Sequence, residues 1–349
     1  MKKVYLINQI DGKKLIFSDY FQKIFYNISN INNFEIIPFN LETNNLLDCI
    51  EKINKNADIV FIIHDFNLWN DGLFTSDNQK FTRFLSGLWN NKHIFVFPTE
   101  LAQSALMESQ LSNNISSINK IIINSEGYKK ILSKINHINP SKIKFIDIPL
   151  EHKKSNFKNA HKNKILLTIE TIHKIKDFNI LIDDICPLLK KYKDLFYVLS
   201  LKSNFNLSEI ENIKFFENIQ KYALTNPKIK VYFDASEEKN NSFRRIANVM
   251  VFPQNHSLEM YNEEIISAIS FGKSIVAATS VFTNDLVKNY GIFLYHYDNQ
   301  SSFHDAISIL LENEKLNSIL EEQNVECSKN LDYEKIAQEY MAQIKQLRK

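Results

Sequence analysis

The sequence is poor in glycine, proline and cysteine, with six, seven and three of them among 349 residues. Loops that bind phosphate groups usually carry several glycines close together. Here the glycines are scattered, and neither a GxGxxG nor a GxxxxGK[ST] pattern occurs. The sequence therefore disfavours a classical dinucleotide site and a P-loop.

Cys49, Cys186 and Cys327 lie far apart, and no CxxC pair occurs. This spacing favours neither a disulfide framework nor a cysteine zinc site, and it points to a reducing compartment. The apolar run Val4–Ile7 is too short for a signal-peptide core, and no stretch approaches the roughly 20 apolar residues of a membrane span. We expect a cytoplasmic protein, with room for peripheral contact at the inner membrane face.

The net charge is only +2, and acids are interspersed among the lysines. Such a mixed pattern is typical of a solvated surface, so we expect no nucleic-acid partner. The length suits two domains of roughly 150 residues.

Short apolar runs alternate with longer amphipathic stretches, which is the pattern of βαβ units with buried parallel strands. The amphipathic stretches are predicted helices; one of them is short, Asn284–Lys288, and the last is Tyr333–Leu347. The predicted strands are Val4–Asn8, Phe34–Pro38, Ile59–His64, His93–Phe97, Lys120–Asn124, Ile143–Ile148, Lys164–Ile169, Leu195–Leu201, Lys228–Phe233, Val249–Pro253, Ser274–Ala278 and Ile292–Tyr295.

The segment Glu151–Lys164 is polar and has no periodicity, so it is interpreted as a linker. The predicted division is a Rossmann-like domain over 1–155, a second over 156–330, and a terminal helix over 331–349 that packs back on the first domain. Ligands of open parallel sheets bind outside the carboxyl ends of the strands. Two such domains are expected to face each other across a central cleft that holds the ligand.

The most informative segment runs from the strand Val249–Pro253 to Ala278. A helix begins there near Asn262, stops at Gly272 and leads into the next strand. The amino end of such a helix is an anion site made of backbone N–H groups. The segment resembles the donor-binding region of GT-B glycosyltransferases, specifically the GT4-like retaining group. Matching positions are Glu259, Ala268, Gly272 and Ile275–Ala277.

The resemblance implies roles for residues of the second half. Glu259 would contact the donor sugar, and Lys176 would contact the diphosphate. Ser267 stands where the family has a second glutamate for the ribose hydroxyls, and Glu263 or Glu264 could compensate for that change. Glu170-Thr171 replaces the family's Gly-Arg, and His173 and Lys174 are close enough to stand in for the arginine. The donor-binding candidates are thus Lys176, Thr171, Lys174, Glu263, Glu264, Ser267 and, in the first half, Gly12.

The first half offers two candidates. Gly12 lies in the first βα loop, where the family's backbone approaches the donor phosphates. His64, followed by Asp65, ends an apolar strand and could act as a general base or contact an acceptor sugar. The alternative is a histidine bonded to backbone beside a capping aspartate. Together with Glu259, His64 is a candidate catalytic residue.

The favoured hypothesis is a glycosyltransferase that moves a sugar from a nucleoside diphosphate-sugar to a saccharide, lipid-linked or protein acceptor. The resemblance implies retention of anomeric configuration and no metal, since no DxD pair lies in a loop. No cofactor is expected besides the nucleotide-sugar co-substrate. One alternative is a degenerate GT-B protein that binds a partner glycosyltransferase or a glycan without catalysis. Another is a GT-B enzyme outside the GT4 group.

Overall fold

A computed structural model gives the fold of the chain. The residues that it describes are 2–10, 12–14, 18–31, 34–64, 79–89, 93–98, 114–134, 138–153, 163–171, 175–203, 208–252, 262–296 and 299–346. They form two compact units. The first contains the described residues up to Pro149 and from Leu331 onward, and the second contains those between Leu150 and Asn330.

The first unit is a parallel sheet with helices along the chain between its strands. Six strands lie side by side in the order β3-β1-β4-β5-β6-β7, and the two-residue β2 pairs antiparallel with the end of β1. Its elements are β1 (Lys2–Ile10), β2 (Lys13–Lys14), α1 (Ser18–Ile31), β3 (Phe34–Leu41), α2 (Leu46–Asn56), β4 (Ile59–His64), α3 (Gln79–Gly87), β5 (His93–Pro98), β6 (Lys120–Ile123), α4 (Glu126–Leu132), β7 (Ile143–Phe145) and, after the second unit, α12 (Tyr333–Gln346).

Aromatic rings fill the core of this unit. Phe21 of α1 contacts Phe61 of β4 and Phe97 of β5, with ring centroids 4.9 and 4.7 Å apart. Tyr340 of α12 lies with its ring centroid 6.0 Å from that of Phe21 and 6.0 Å from that of Phe61. Continuous apolar runs such as Ile59–His64 form these strands because both faces of the sheet are covered. The terminal helix is therefore part of the first core.

The second unit repeats the plan with six parallel strands. Its elements are β8 (Lys164–Thr171), α5 (Ile175–Lys191), β9 (Leu195–Lys202), α6 (Glu209–Thr225), β10 (Ile229–Phe233), α7 (Glu237–Ile246), β11 (Val249–Phe252), α8 (Glu263–Ser270), β12 (Ser274–Ala278), α9 (Val281–Leu286), β13 (Ile292–Tyr295), α10 (Gln300–Glu312) and α11 (Glu314–Asn330).

The strand order of the second unit is β10-β9-β8-β11-β12-β13. This is the 3-2-1-4-5-6 order of the doubly wound Rossmann fold, in which the winding reverses between the first and fourth strands. The reversal falls here between β8 and β11, which pair in parallel at Leu166–Leu167 and Val249–Met250. The carboxyl ends of these two strands mark where ligands of such sheets bind.

Local sequence signals set most of the boundaries. Ser125, Ser236 and Asn262 cap their helices by accepting backbone N–H bonds. The short helix predicted over Asn284–Lys288 instead spans Val281–Leu286. Its start is fixed by Ser280, whose side chain accepts from Thr283 N, while Thr283 accepts in return from Ser280 N.

None of the helices within the described ranges combines the length and the apolar character that crossing a bilayer requires.

Candidate functional site

The candidate site lies in the second unit, at the carboxyl ends of β8, β9 and β11 and the amino end of α8. Thr171, the last residue of β8, is in register with Lys202, the last residue of β9. Helix α8 follows β11 along the chain and begins at Glu263. The sheet order puts β8 between β9 and β11, so these elements meet at the point where the winding reverses.

The amino end of α8 is capped from within the chain. The Oδ1 atom of Asn262 accepts hydrogen bonds from the N–H groups of Glu264 and Ile265, at 3.0 and 2.9 Å. Asn262 is itself buried. Two of the backbone donors that the sequence suggested for an anion are thus already bonded to the cap.

Beside this helix end lies a cluster of four charged side chains, which we call the ion cluster: Lys202, Glu237, Arg244 and Glu264. Glu264 Oε1 accepts from Lys202 Nζ at 2.5 Å, and Glu264 Oε2 accepts from Arg244 Nη2 at 2.6 Å. Arg244 Nη1 donates to Glu237 Oε1 at 2.7 Å and to Asn241 Oδ1 at 2.8 Å. The cluster therefore joins β9, α7 and α8.

The ion cluster is graded from buried to exposed. The side chains of Arg244 and Glu264 are 2% and 9% exposed, whereas those of Lys202 and Glu237 are 35% and 61% exposed. Breaking a buried ion pair by removing one partner costs about 3–5 kcal/mol, because the other charge stays in the protein without compensation. Arg244 and Glu264 therefore form the inner part of the cluster, and Lys202 and Glu237 form its outer edge.

Electrostatics keep both cations charged. Burial alone would lower the pKa of Lys202, but the Glu264 carboxylate raises it above the ordinary lysine value. For Arg244, burial likewise lowers the pKa, and Glu264 and Glu237 raise it. Both side chains are consequently protonated at neutral pH.

Three of the candidates from the sequence come together on α8. Glu263 is its first residue and is exposed, Glu264 is buried in the ion cluster, and Ser267 is half-buried one turn further on. Both carboxylate oxygens of Glu264 are bonded to cations, so this side chain acts on its surroundings through Lys202 and Arg244.

The other donor-side candidates are described only in part. The backbone of Thr171 ends β8, and that of Lys176 lies in the first turn of α5. Their side chains are outside the described part of the structure, as is the His64 side chain at the end of β4. Lys174 and Glu259 lie outside the described residues altogether.

Gly12 lies in the turn between β1 and β2, in the first unit. Its φ of +76° falls in the left-handed region, which glycine adopts without steric cost. Its N–H group donates to Asn40 Oδ1 at 3.1 Å, and no described residue other than its chain neighbours has a heavy atom within 4 Å of where a Cβ would stand.

Sequence reasoning missed Lys202, Arg244 and the Asn262 cap. Lys202 directly follows the apolar strand predicted over Leu195–Leu201, and a lysine at the end of a buried strand was the available signal. Arg244 had none, because an arginine in an amphipathic helix is normally expected at the surface. No group of three or more potential metal-binding side chains occurs among the residues that the structure describes.

Comparison with known proteins gives the class of fold. No protein-family model matches the chain, and no curated protein matches it. Solved structures, in contrast, match along its whole length, and they include a glycosyltransferase and a galactosyltransferase. The chain has the GT-B fold, with two Rossmann-like domains.

Three of these structures illustrate the match. HepE from Anabaena, solved in complex with UDP, has a TM-score of 0.73 at 12% identity, covering 99% of this chain and 100% of its own. A glycosyltransferase from Rickettsia africae has a TM-score of 0.74 at 14% identity, covering 100% and 99%. Sucrose-phosphate synthase from Thermosynechococcus elongatus has a TM-score of 0.69 at 12% identity, covering 99% of each chain.

Proposed function

We propose that this chain is a glycosyltransferase that moves a sugar from a nucleoside diphosphate-sugar to a glycan, lipid-linked or protein acceptor. The observation that carries the proposal is the whole-length likeness to a structure that holds UDP, HepE. It is supported by the doubly wound second sheet, whose reversal between β8 and β11 is where such sheets bind nucleotides.

We assign one of the two substrates to each domain. The second domain, 156–330, binds the donor, with Glu259 at the sugar and Lys176 at the diphosphate. Thr171, Lys174, Glu263 and Ser267 belong to the same donor site. The first domain, 1–155, binds the acceptor.

Within the first domain, His64 serves the acceptor as base or contact, and Gly12 leaves room for the donor phosphates. The transfer proceeds with retention and without a metal ion. The protein works in the cytoplasm, at or near the inner membrane face.

The test is binding and turnover with UDP-, GDP-, ADP- and CMP-sugars. At a ligand concentration of ~100 Kd, a nucleotide stabilises its protein by about 2.7 kcal/mol, which raises Tm by roughly 5–10 °C in a domain of this size. We expect the nucleotide-sugars of one nucleotide class to give that shift in Tm, and we expect the protein to hydrolyse them slowly. If no nucleotide stabilises the protein, the proposal is wrong.

A variant pair separates catalysis from binding. Glu259→Ala should abolish turnover while the Tm of the free protein changes little. The matched control is Glu238→Ala, which removes an exposed acid from the first turn of α7 and should leave turnover intact. Turnover that is unchanged by excess EDTA would support metal independence. NMR of the product would show whether the anomeric configuration is retained. Nucleotide binding with no turnover on any acceptor would instead favour a non-catalytic partner subunit.

A further inference from the structure

Lys202 is placed at the centre of the candidate site by the sheet register. It ends β9 and lies beside Thr171, which ends β8, and residues in register on neighbouring strands are about 4.8 Å apart. From β9 its side chain reaches Glu264 on α8, which follows β11. Because β8 lies between β9 and β11, the Lys202–Glu264 bond joins elements from the two sides of β8.

The ammonium of Lys202 is held in place by Glu264 and bonds no second acceptor within the described residues. Glu264 cannot turn away from it, because the second carboxylate oxygen is bonded to the buried Arg244. An ammonium has three N–H donors, and within the described residues that of Lys202 bonds a single acceptor, Glu264 Oε1. The side chain of Lys202 is 35% exposed.

Two other cations near it among the described side chains, Arg244 and Lys273, cannot serve in its place. Arg244 is 1% exposed and lies beneath Glu264. Lys273 is 3% exposed, and its Nζ donates to the carbonyls of Arg245 and Ala247 at the end of α7. Lys202 is thus the cation that this cluster presents to solvent at the carboxyl ends of the strands.

An anionic ligand at the carboxyl ends of these strands would need a cation to bind it. Two amides of the first turn of α8 are already bonded to Asn262, which weakens the helix end as an anion site on its own. A charged N–H donor forms shorter and stronger bonds to phosphate than a neutral amide does. The ion cluster supplies such a donor, held in place by Glu264.

We propose that Lys202, positioned by Glu264 and Arg244, binds the diphosphate of the donor together with Lys176. This inference rests on the proposed function, since it adds a cation to that same nucleotide site. Glu264 and Arg244 are positioning residues in it, and Lys202 is the one that touches the ligand.

The test compares a phosphorylated ligand with its nucleoside. Kd values are measured for UDP and for uridine, by calorimetry and by competition, with the wild type and with Lys202→Met. We expect the Kd of UDP to rise by about 10–100-fold, as for loss of one charge-assisted hydrogen bond. The Kd of uridine should change less than twofold. Lys202→Arg should restore most of the UDP affinity.

Two further observations control for the fold. Lys202→Met leaves the buried Glu264 paired with Arg244, so no buried charge is left uncompensated and the Tm of the free protein should change little. Lys191→Met removes an exposed lysine that pairs with Glu312 and should change neither Kd. An unchanged UDP affinity in a folded Lys202→Met protein would overturn the inference alone, as would equal losses for UDP and uridine. A wild type that binds none of the nucleotides would overturn the proposed function itself.

Discussion

In the second unit, the identity of some single residues is fixed by backbone groups that lie very close to them. Asn324 is fully buried, and its side chain accepts from Gly291 N at 2.7 Å and donates to the carbonyls of Lys273 and Gly291. It therefore ties α11 to the residues that precede β12 and β13. A Cβ on Gly291 would stand 2.1 Å from the carbonyl oxygen of Leu320, so the position has no room for any other residue.

Gly291→Ala should accordingly destabilise the protein. The clashing atom is helix backbone, which must move as a whole, and overpacking of this kind typically costs about 1–3 kcal/mol. We expect Tm in differential scanning calorimetry to fall by roughly 3–10 °C. The matched control is Gly87→Ala, where the nearest atom is the terminal carbon of the Ile50 side chain at 2.7 Å, which can rotate away. Equal losses for the two variants would contradict the explanation.

The terminal helix α12 contacts both the aromatic core and an acidic side chain of the first unit. Its apolar face enters the aromatic core of the first unit through Tyr340, while its polar side brings Glu339 near Asp147, which follows β7. Burial raises the pKa of the Asp147 carboxyl, and Glu126 raises it further against the opposing effect of Lys335. Burial and Asp147 likewise raise the pKa of Glu339, against Lys335 and Lys144. Helix docking is thus opposed by two half-buried acids.

Asp147→Asn should stabilise the protein in a pH-dependent way. A carboxyl whose pKa is higher in the folded than in the unfolded chain favours folding when it is protonated. Its penalty is absent below the unfolded value of about 4 and grows as pH rises through the folded value. We expect Tm to rise by about 1–3 °C at pH 7.5 and to be unchanged at pH 4.

The control for that experiment is Glu334→Gln, an exposed acid of the same helix. It should leave Tm unchanged at both pH values. A gain from Asp147→Asn that is larger at pH 4 than at pH 7.5 would mean that the carboxyl does not oppose folding.

At the scale of the whole molecule, the chain contains two parallel sheets with different strand orders. The first winds as β3-β1-β4-β5-β6-β7 and the second follows the Rossmann order. Each sheet has its own carboxyl edge. The proposed function assigns the nucleotide to the edge of the second.

Hydrogen exchange can check that assignment without any variant. With a saturating nucleotide, we expect amide protection to increase at the carboxyl ends of β8 and β9 and in the first turn of α8. The amino ends of the same strands, at Lys164 and Leu195, should exchange as in the free protein and provide the internal control. Protection limited to the β1–β7 sheet would contradict the assignment of the donor to the second domain.

Much of this organisation could be predicted from the sequence. The strands Ile59–His64, Ser274–Ala278 and Ile292–Tyr295 have the bounds that the sequence predicts. The helix predicted to begin near Asn262 and to stop at Gly272 spans Glu263–Ser270. Buried parallel strands are continuous apolar runs, and capped helices carry their signals locally, so neither needs knowledge of distant residues. The two-residue β2 was not predicted, because its pairing depends on a turn at Gly12 rather than on periodicity.

The sequence by itself determined the alternation of strands and helices and the placement of α8 after a buried strand, since both are local patterns. Only the tertiary structure decided what surrounds that helix end. Lys202, Arg244 and Glu264 are 20 to 62 residues apart along the chain, and the order of strands in the sheet brings them together. The stability of a buried ion pair depends on which partner each charge has and on how deeply the pair is buried. Neither can be read from a sequence segment that contains only one of the partners.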